Sequence, residues 1–390
     1  MNCEPSTISR PSTRTRTMTR RERLLCVFEG RVPDRTPVKV WDAGLKPAAD
    51  RHPAFAAVHR AALAQSDLVV QHTSPFCAYA GVHAAARCHK SRMATDRPEW
   101  ELTVTDYETP RGMLRGVHRG RLPFGPGYQM EYPLKEPADV GRLLSMPYAP
   151  YPLDPARYWR ADAELGDAGV TLFMLDHAAY ALQQMIGSEN FALWSLSSED
   201  VLLGAIRTFA ERIRAHAKQA LAAGVRLFGW CGPELFIPPL LSPAGFEKFV
   251  YDIDKPLIDL IHDGGGRVWV HCHGKMGPVL ERFAEMGVDV LNPLEPPPMG
   301  DVSLDEAFAR LAGGPMALEG NIETHDIMRA GKDELREKID AALRAGQGRP
   351  MILCTSAAYN ENHDPSPVEI ENWLFYIGEG IRAAERLAWG

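Results

Sequence analysis

The segment Arg267-Val268-Trp269-Val270-His271-Cys272-His273-Gly274-Lys275 sets two imidazoles two residues apart, at the end of a β-branched and aromatic run. In an extended chain, side chains at i and i+2 share a face. His271 and His273 therefore point one way and Cys272 the other. One strand end can present two ligands of a metal ion in this manner; the same composition also describes a buried, hydrogen-bonded histidine pair. Further side chains of the right chemistry fall at other strand ends. These are Cys231 and Glu234, the run Asn292-Pro293-Leu294-Glu295, Glu319 and Glu323 flanking Asn321, and Cys354. Such a ring could hold a substrate thiol as thiolate, polarise an ether oxygen or activate water on a metal. His271, His273, Cys354 and Cys231 are the candidate ligands, and Glu234, Glu319 and Glu323 the candidate acid/base groups. Trp41, Trp230 and Asn321 are the candidate cofactor-facing residues.

Each has a plainer reading. Cys231 beside Gly232-Pro233 also suits a small buried residue at a turn, Cys272 reads as packing, and Asn321 could serve only to bond backbone groups of its turn. A carboxylate such as Glu319, if buried, needs a metal, a cation or a proton as partner. Trp41 and Trp230 suit pocket walls and core equally well.

The elements that must position these groups alternate. Strand-like runs fall at 37–41, 68–71, 171–175, 226–230, 267–271, 288–291, 316–319 and 351–354. Between most of them lie helical patterns, such as Val201 to Ala222 with apolar residues at three- and four-residue spacing. Gly224, Gly287 and Gly313 fall where helices would end. Eight strands with helical crossovers predict an α/β fold, a (β/α)8 TIM barrel, with its chemistry at the strands' carboxyl ends. Residues 98–135 break the rhythm. Alternating patterns on either side of Pro110-Arg111-Gly112 predict an inserted β-hairpin, and the Pro-rich stretch 123–155 reads as a crossing loop. The expected organisation is a disordered tail over 1–19 and a single barrel domain over 20–390 with that insertion.

Bulk properties narrow the classes. With 390 residues, 45% hydrophobic and 24% charged, the composition is that of a globular protein. A net charge of -7 argues against a basic nucleic-acid surface. No apolar run approaches the ~18 residues of a membrane span. Seven scattered cysteines form no disulfide framework and point to a reducing, cytoplasmic setting. There is no Gly-rich phosphate loop and no Gly-x-Ser-x-Gly turn.

Several segments together resemble the uroporphyrinogen decarboxylase superfamily over residues 20 to 385. They are the opening from Arg20 to Val38, the hairpin turn Glu108 to Gly112, Tyr132-Pro133-Leu134-Lys135 with Asp139, Gly287 to Pro293, and Gly320-Asn321-Ile322-Glu323. The resemblance implies a (β/α)8 barrel, in a superfamily that holds cofactor-free porphyrinogen decarboxylases and zinc-dependent methyltransferases acting with a corrinoid. The decarboxylases' Arg-Gln-Ala-Gly-Arg turn is here Trp41-Asp42-Ala43-Gly44-Leu45, without either arginine; Lys46 cannot make the bidentate fork. Their Gly-His-Gly after the last strand is replaced by Cys354 to Tyr359, with no histidine. The methyltransferases' His-x-Cys-Gly is matched by His271-Cys272-His273-Gly274, with histidine in the second ligand place. Cys354 stands a few residues ahead of their late cysteine, whose place Ala357 takes.

The resemblance thus points to the methyltransferase branch. It implies a zinc cofactor, a small-molecule substrate, and cobalamin carried by a separate corrinoid protein; members of the superfamily often form homodimers, a state this sequence leaves open. A different metal-assisted decarboxylase, lyase or hydrolase is the second expectation, and a non-catalytic tetrapyrrole-binding barrel the third.

Overall fold

The computed structural model describes residues 17–41, 43, 52–73, 79–122, 127–359 and 363–388. Most of the expected tail, and Asp42, Gly44, Leu45 and Lys46, lie outside the described residues. In chain order the strands are β1 (Val38–Lys39), β2 (Leu68–Thr73), β3 (Cys88–Ala94), β4 (Trp100–Thr109), β5 (Gly112–Arg121), β6 (Tyr128–Glu131), β7 (Gly169–Met174), β8 (Leu227–Cys231), β9 (Arg267–His271), β10 (Val290–Leu294), β11 (Ala317–Ile322) and β12 (Met351–Thr355).

The eight expected barrel strands pair in parallel in the order β1-β12-β11-β10-β9-β8-β7-β2. Helices such as Glu199–Ala222 wrap them, burying the stripe of Leu202, Ile206, Phe209 and Ile213. Asp67 bridges the seam between β1 and β2. Its backbone N–H donates to the Val38 carbonyl at 2.8 Å, and the Val38 N–H donates to its carboxylate at 2.8 Å. Arg23 and Arg35 neutralise that buried carboxylate at 2.9 and 3.0 Å. Arg23 lies on the helix Arg20–Phe28, which opens with a Thr19/Glu22 capping box. Held there, the helix plugs the strands' amino ends. Its Leu24, Val27 and Phe28 pack with inward-facing Val69, Leu172, Leu227, Val290 and Ile352.

Above this apolar layer the barrel interior turns polar. Lys39 and Glu319 are 2% and 0% exposed and meet at 2.6 Å, so the carboxylate's expected partner is a cation from the first strand. Trp269 Nε1–H and Asn292 Nδ2–H also donate to Glu319, at 2.9 and 2.8 Å. The Lys39 ammonium sits 4.8 and 5.3 Å from the Trp41 and Trp269 rings. Three donors and two aromatic faces thus replace the water that two buried charges have lost.

The expected hairpin is there: Thr109 pairs with Gly112 across the turn. It belongs to a larger antiparallel sheet, β3-β4-β5-β6. The outer strands escape a pattern reading for physical reasons. All but the first residue of β3 is exposed, so no alternation is imposed on it. Strand β6 has four residues in the Pro-rich stretch expected to be loop, which also contains the helix Pro137–Leu144. Among the described residues no helix is long and apolar enough to cross a membrane.

Removing one partner of the interior pair strands the other charge, a loss of roughly 3–5 kcal/mol. Lys39→Met and Glu319→Met should each lower the free energy of urea unfolding by about that much. The double variant should lose less than the sum of the two; simple additivity would show that the pair is not coupled.

Candidate functional site

The period-two geometry of β9 carries through its end. His271 faces inward one residue pair above Trp269, and His273 follows at the rim; the two rings meet edge-on at 4.5 Å. In register, His271 stands between Cys231 on β8 and Asn292 on β10. Trp41 stacks on His271 at 4.7 Å, so of the two tryptophans it is the one that walls this site.

Hydrogen bonding decides which nitrogen of each imidazole is open. Asn292 spends its amide N–H on Glu319, which leaves its carbonyl oxygen as acceptor 2.7 Å from His271 Nδ1. His271 Nδ1 must then carry the proton, and Nε2 keeps its lone pair. Burial, then the nearby His273, push the His271 pKa down to about 3, so the ring is neutral. His273 Nδ1 pairs with Glu295 at 2.9 Å, and Glu295's other oxygen accepts from the Gly274 N–H at 2.7 Å. Burial opposes charge on His273, but Glu295 outweighs it and the pKa is raised. Both rings are therefore held through Nδ1 by a side-chain oxygen. The sequence places Asn292 and Glu295 in the ring of strand-end side chains but assigns neither a role; both lie across from the histidines and hold them.

Beyond the pair opens a hollow of about 540 Å³, lined by Glu234, Ile237, Leu240, His273, Glu295 and Glu323 among others. Glu234 accepts from the Gly232 N–H at 3.0 Å, and burial raises its pKa. Glu323 accepts from Ser356 Oγ at 3.0 Å, while its other oxygen is buried without a partner. Burial, then Glu295, push its pKa up to about 7.

Three expectations need correction. Trp230 faces away from the mouth, because its neighbour Cys231 occupies the inward position; it is fully buried beneath the helices and its Nε1–H donates to Asp254 at 3.0 Å. Cys354 is fully buried with its thiol bonded to Glu319, in the polar layer rather than at the histidines. Glu319 is saturated by Lys39, Trp269 and Asn292, which suits an anchor and not a proton carrier. Cys231 does flank His271, but burial, then Glu234, push its thiol up to about 12, so it is protonated at neutral pH. Asn321 donates to the Leu294 carbonyl at 2.9 Å and so fastens the end of β10.

Among the described residues no three His, Cys, Asp or Glu side chains form a ready ligand set for a metal ion. The donor chemistry of the two histidines nonetheless fits zinc, since each ring is oriented from behind through Nδ1, as metal-bound histidines generally are. The buried, unpartnered oxygen of Glu323 marks nearby carboxylate charge that a cation would satisfy.

The sequence profile of uroporphyrinogen decarboxylase (URO-D) matches residues 133–370. No curated protein sequence matches the chain. Among solved structures, a methyltransferase from Methanosarcina mazei superposes with a TM-score of 0.60 at 17% identity, covering 94% of this chain and 99% of that one. A B12-independent methionine synthase from Shewanella sp. W3-18-1 gives a TM-score of 0.38 at 13% identity, over 73% and 74% of the two chains. The first likeness extends the barrel fold over nearly the whole chain, and the profile match over more than half of it assigns the family: the chain belongs to the uroporphyrinogen decarboxylase family.

Proposed function

We propose that the chain is a zinc-dependent methyltransferase, moving a methyl group between a small substrate and a corrinoid carried by a separate protein. The observation that supports this reading is the pair of imidazoles fixed through Nδ1 at one strand end. His271 and His273 would hold zinc through Nε2, and the ion, when bound, supplies Lewis-acid polarisation of the heteroatom that carries the methyl group.

The chain's own residues supply the rest. When a methyl group leaves an oxygen or nitrogen, that atom takes a proton. Glu323, protonated below about pH 7, lines the same hollow as His273 and is the group placed to deliver it; Glu234, also raised, is the alternative donor. Ile237, Leu240 and the flanking prolines give the hollow an apolar wall. Among the described lining residues only Lys275 and His273 offer positive charge, against Glu234, Glu295 and Glu323. That balance disfavours a polycarboxylate porphyrinogen.

The raised carboxyls also favour a second reading, metal-assisted decarboxylation, lyase chemistry or hydrolysis, in which Glu323 or Glu234 works as acid/base. Corrinoid-dependent turnover separates it from the first.

Protein purified without added metal should contain about one zinc per chain by mass spectrometry. The His271→Ala/His273→Ala variant should contain none. Methyl exchange from methylcobalamin to thiols or from methoxy-aromatic compounds should follow zinc content. Absence of metal in the unaltered protein contradicts this reading.

The proton donor sets a pH dependence. A carboxyl raised to about 7 is protonated below that pH, so kcat should fall as pH rises through the folded value, and a bound cation should move that limb lower. Glu323→Gln should remove the limb and lower kcat by about 10²–10⁴-fold. An unchanged profile in that variant would transfer the role to Glu234.

A further inference from the structure

A second cavity, of about 360 Å³, lies between the antiparallel sheet and the barrel's helices. Tyr79, Tyr107, Tyr151, Leu144, Met185 and Phe209 supply much of its wall. Its charged groups are of one sign: Lys90 and Arg212 line it, with His118 beside them, and no aspartate or glutamate is among the described lining residues, in a chain of net charge -7.

Arg212 is the telling residue. It lies on the inner part of the helix Glu199–Ala222, half-buried. Its Nη1 donates to the Tyr79 carbonyl at 2.9 Å, and its guanidinium lies 4.1 Å from the centre of the Tyr148 ring. Among the described residues it makes no ion pair with a carboxylate, and burial pulls its pKa below the usual arginine value. Buried charges are normally paired. Arg23, by contrast, is held by two aspartates. A guanidinium partly withdrawn from water, with a neutral carbonyl and a ring as its partners, retains donors that match a planar carboxylate.

We propose that this cavity is a second ligand site, separate from the barrel mouth, for a small amphipathic carboxylate. The apolar body packs against Tyr107, Met185 and Phe209, the carboxylate meets Arg212, and Lys90 stands at the exposed lip. The sheet β3-β6 gains a purpose from this, since each of its strands contributes to one wall.

Calorimetric titration of the full chain with octanoate and with 4-butylbenzoate tests the site, with 1-octanol as the neutral control. At least one carboxylate should saturate a single site per chain, with 1-octanol weaker by about tenfold or more. Arg212→Met should bring the carboxylate down to the level of the alcohol, Arg212→Lys should restore part of the difference, and His271→Ala should leave binding unchanged. Should Arg212→Met prove unfolded by circular dichroism, Ala181→Trp, which fills the cavity, should abolish binding. Absence of saturable binding by both carboxylates overturns the proposal. So does binding that survives both cavity variants, or binding that is lost in His271→Ala.

Discussion

The ion pair between Lys39 and Glu319 is the constraint on which the site rests. It joins β1 to β11 across the barrel interior and draws Trp269 from β9 and Asn292 from β10 onto the same carboxylate. Without it, two charges would be stranded among tryptophans. With it, the carboxylate becomes a fixed anion whose orientation dictates the amide orientation of Asn292. Asn292 in turn dictates the tautomer of His271. A buried charge thus specifies the chemistry of an imidazole it never touches, and the second histidine repeats the logic with Glu295. Such buried networks are costly when incomplete and specifying when satisfied.

The linings of the two cavities differ in charge. The mouth gathers Glu234, Glu295 and Glu323 around His273, with two of the carboxyls held above their usual pKa. The cavity under the second sheet gathers cationic side chains and no described carboxylate. Opposite electrostatics in two cavities of one chain suit two different ligands. On the proposed readings the mouth takes a cation and a heteroatom that must be protonated, and the outer cavity an anion.

Much of the fold was legible because a barrel writes it twice, in continuous apolar strands and in helices with a three-to-four spacing. The histidine pair was legible for a similar reason, since i and i+2 at a strand end must share a face. Other features depended on the register of neighbouring strands, which one sequence does not carry. Trp230 and Cys231 are adjacent, and only the pairing of β8 with β9 shows that the cysteine has the inward place. Cys354 sits on the proper strand but is engaged by Glu319. Lys39, in the run Pro37 to Trp41, resembles any solvent-facing lysine until Glu319 is seen opposite it. Strand β3 had no pattern to read because water covers almost all of it.

The most direct measurement is the tautomer of His271, read from two-bond proton–nitrogen correlations on protein labelled with ¹⁵N-histidine and assigned with His271→Ala. The account expects a neutral ring protonated at Nδ1 throughout pH 5 to 8, because Asn292 accepts from that nitrogen and burial holds the pKa near 3. Zinc should then perturb the Nε2 resonance. A proton on Nε2, or a ring that titrates near its ordinary value, would contradict the chain of bonds from Glu319 to the site.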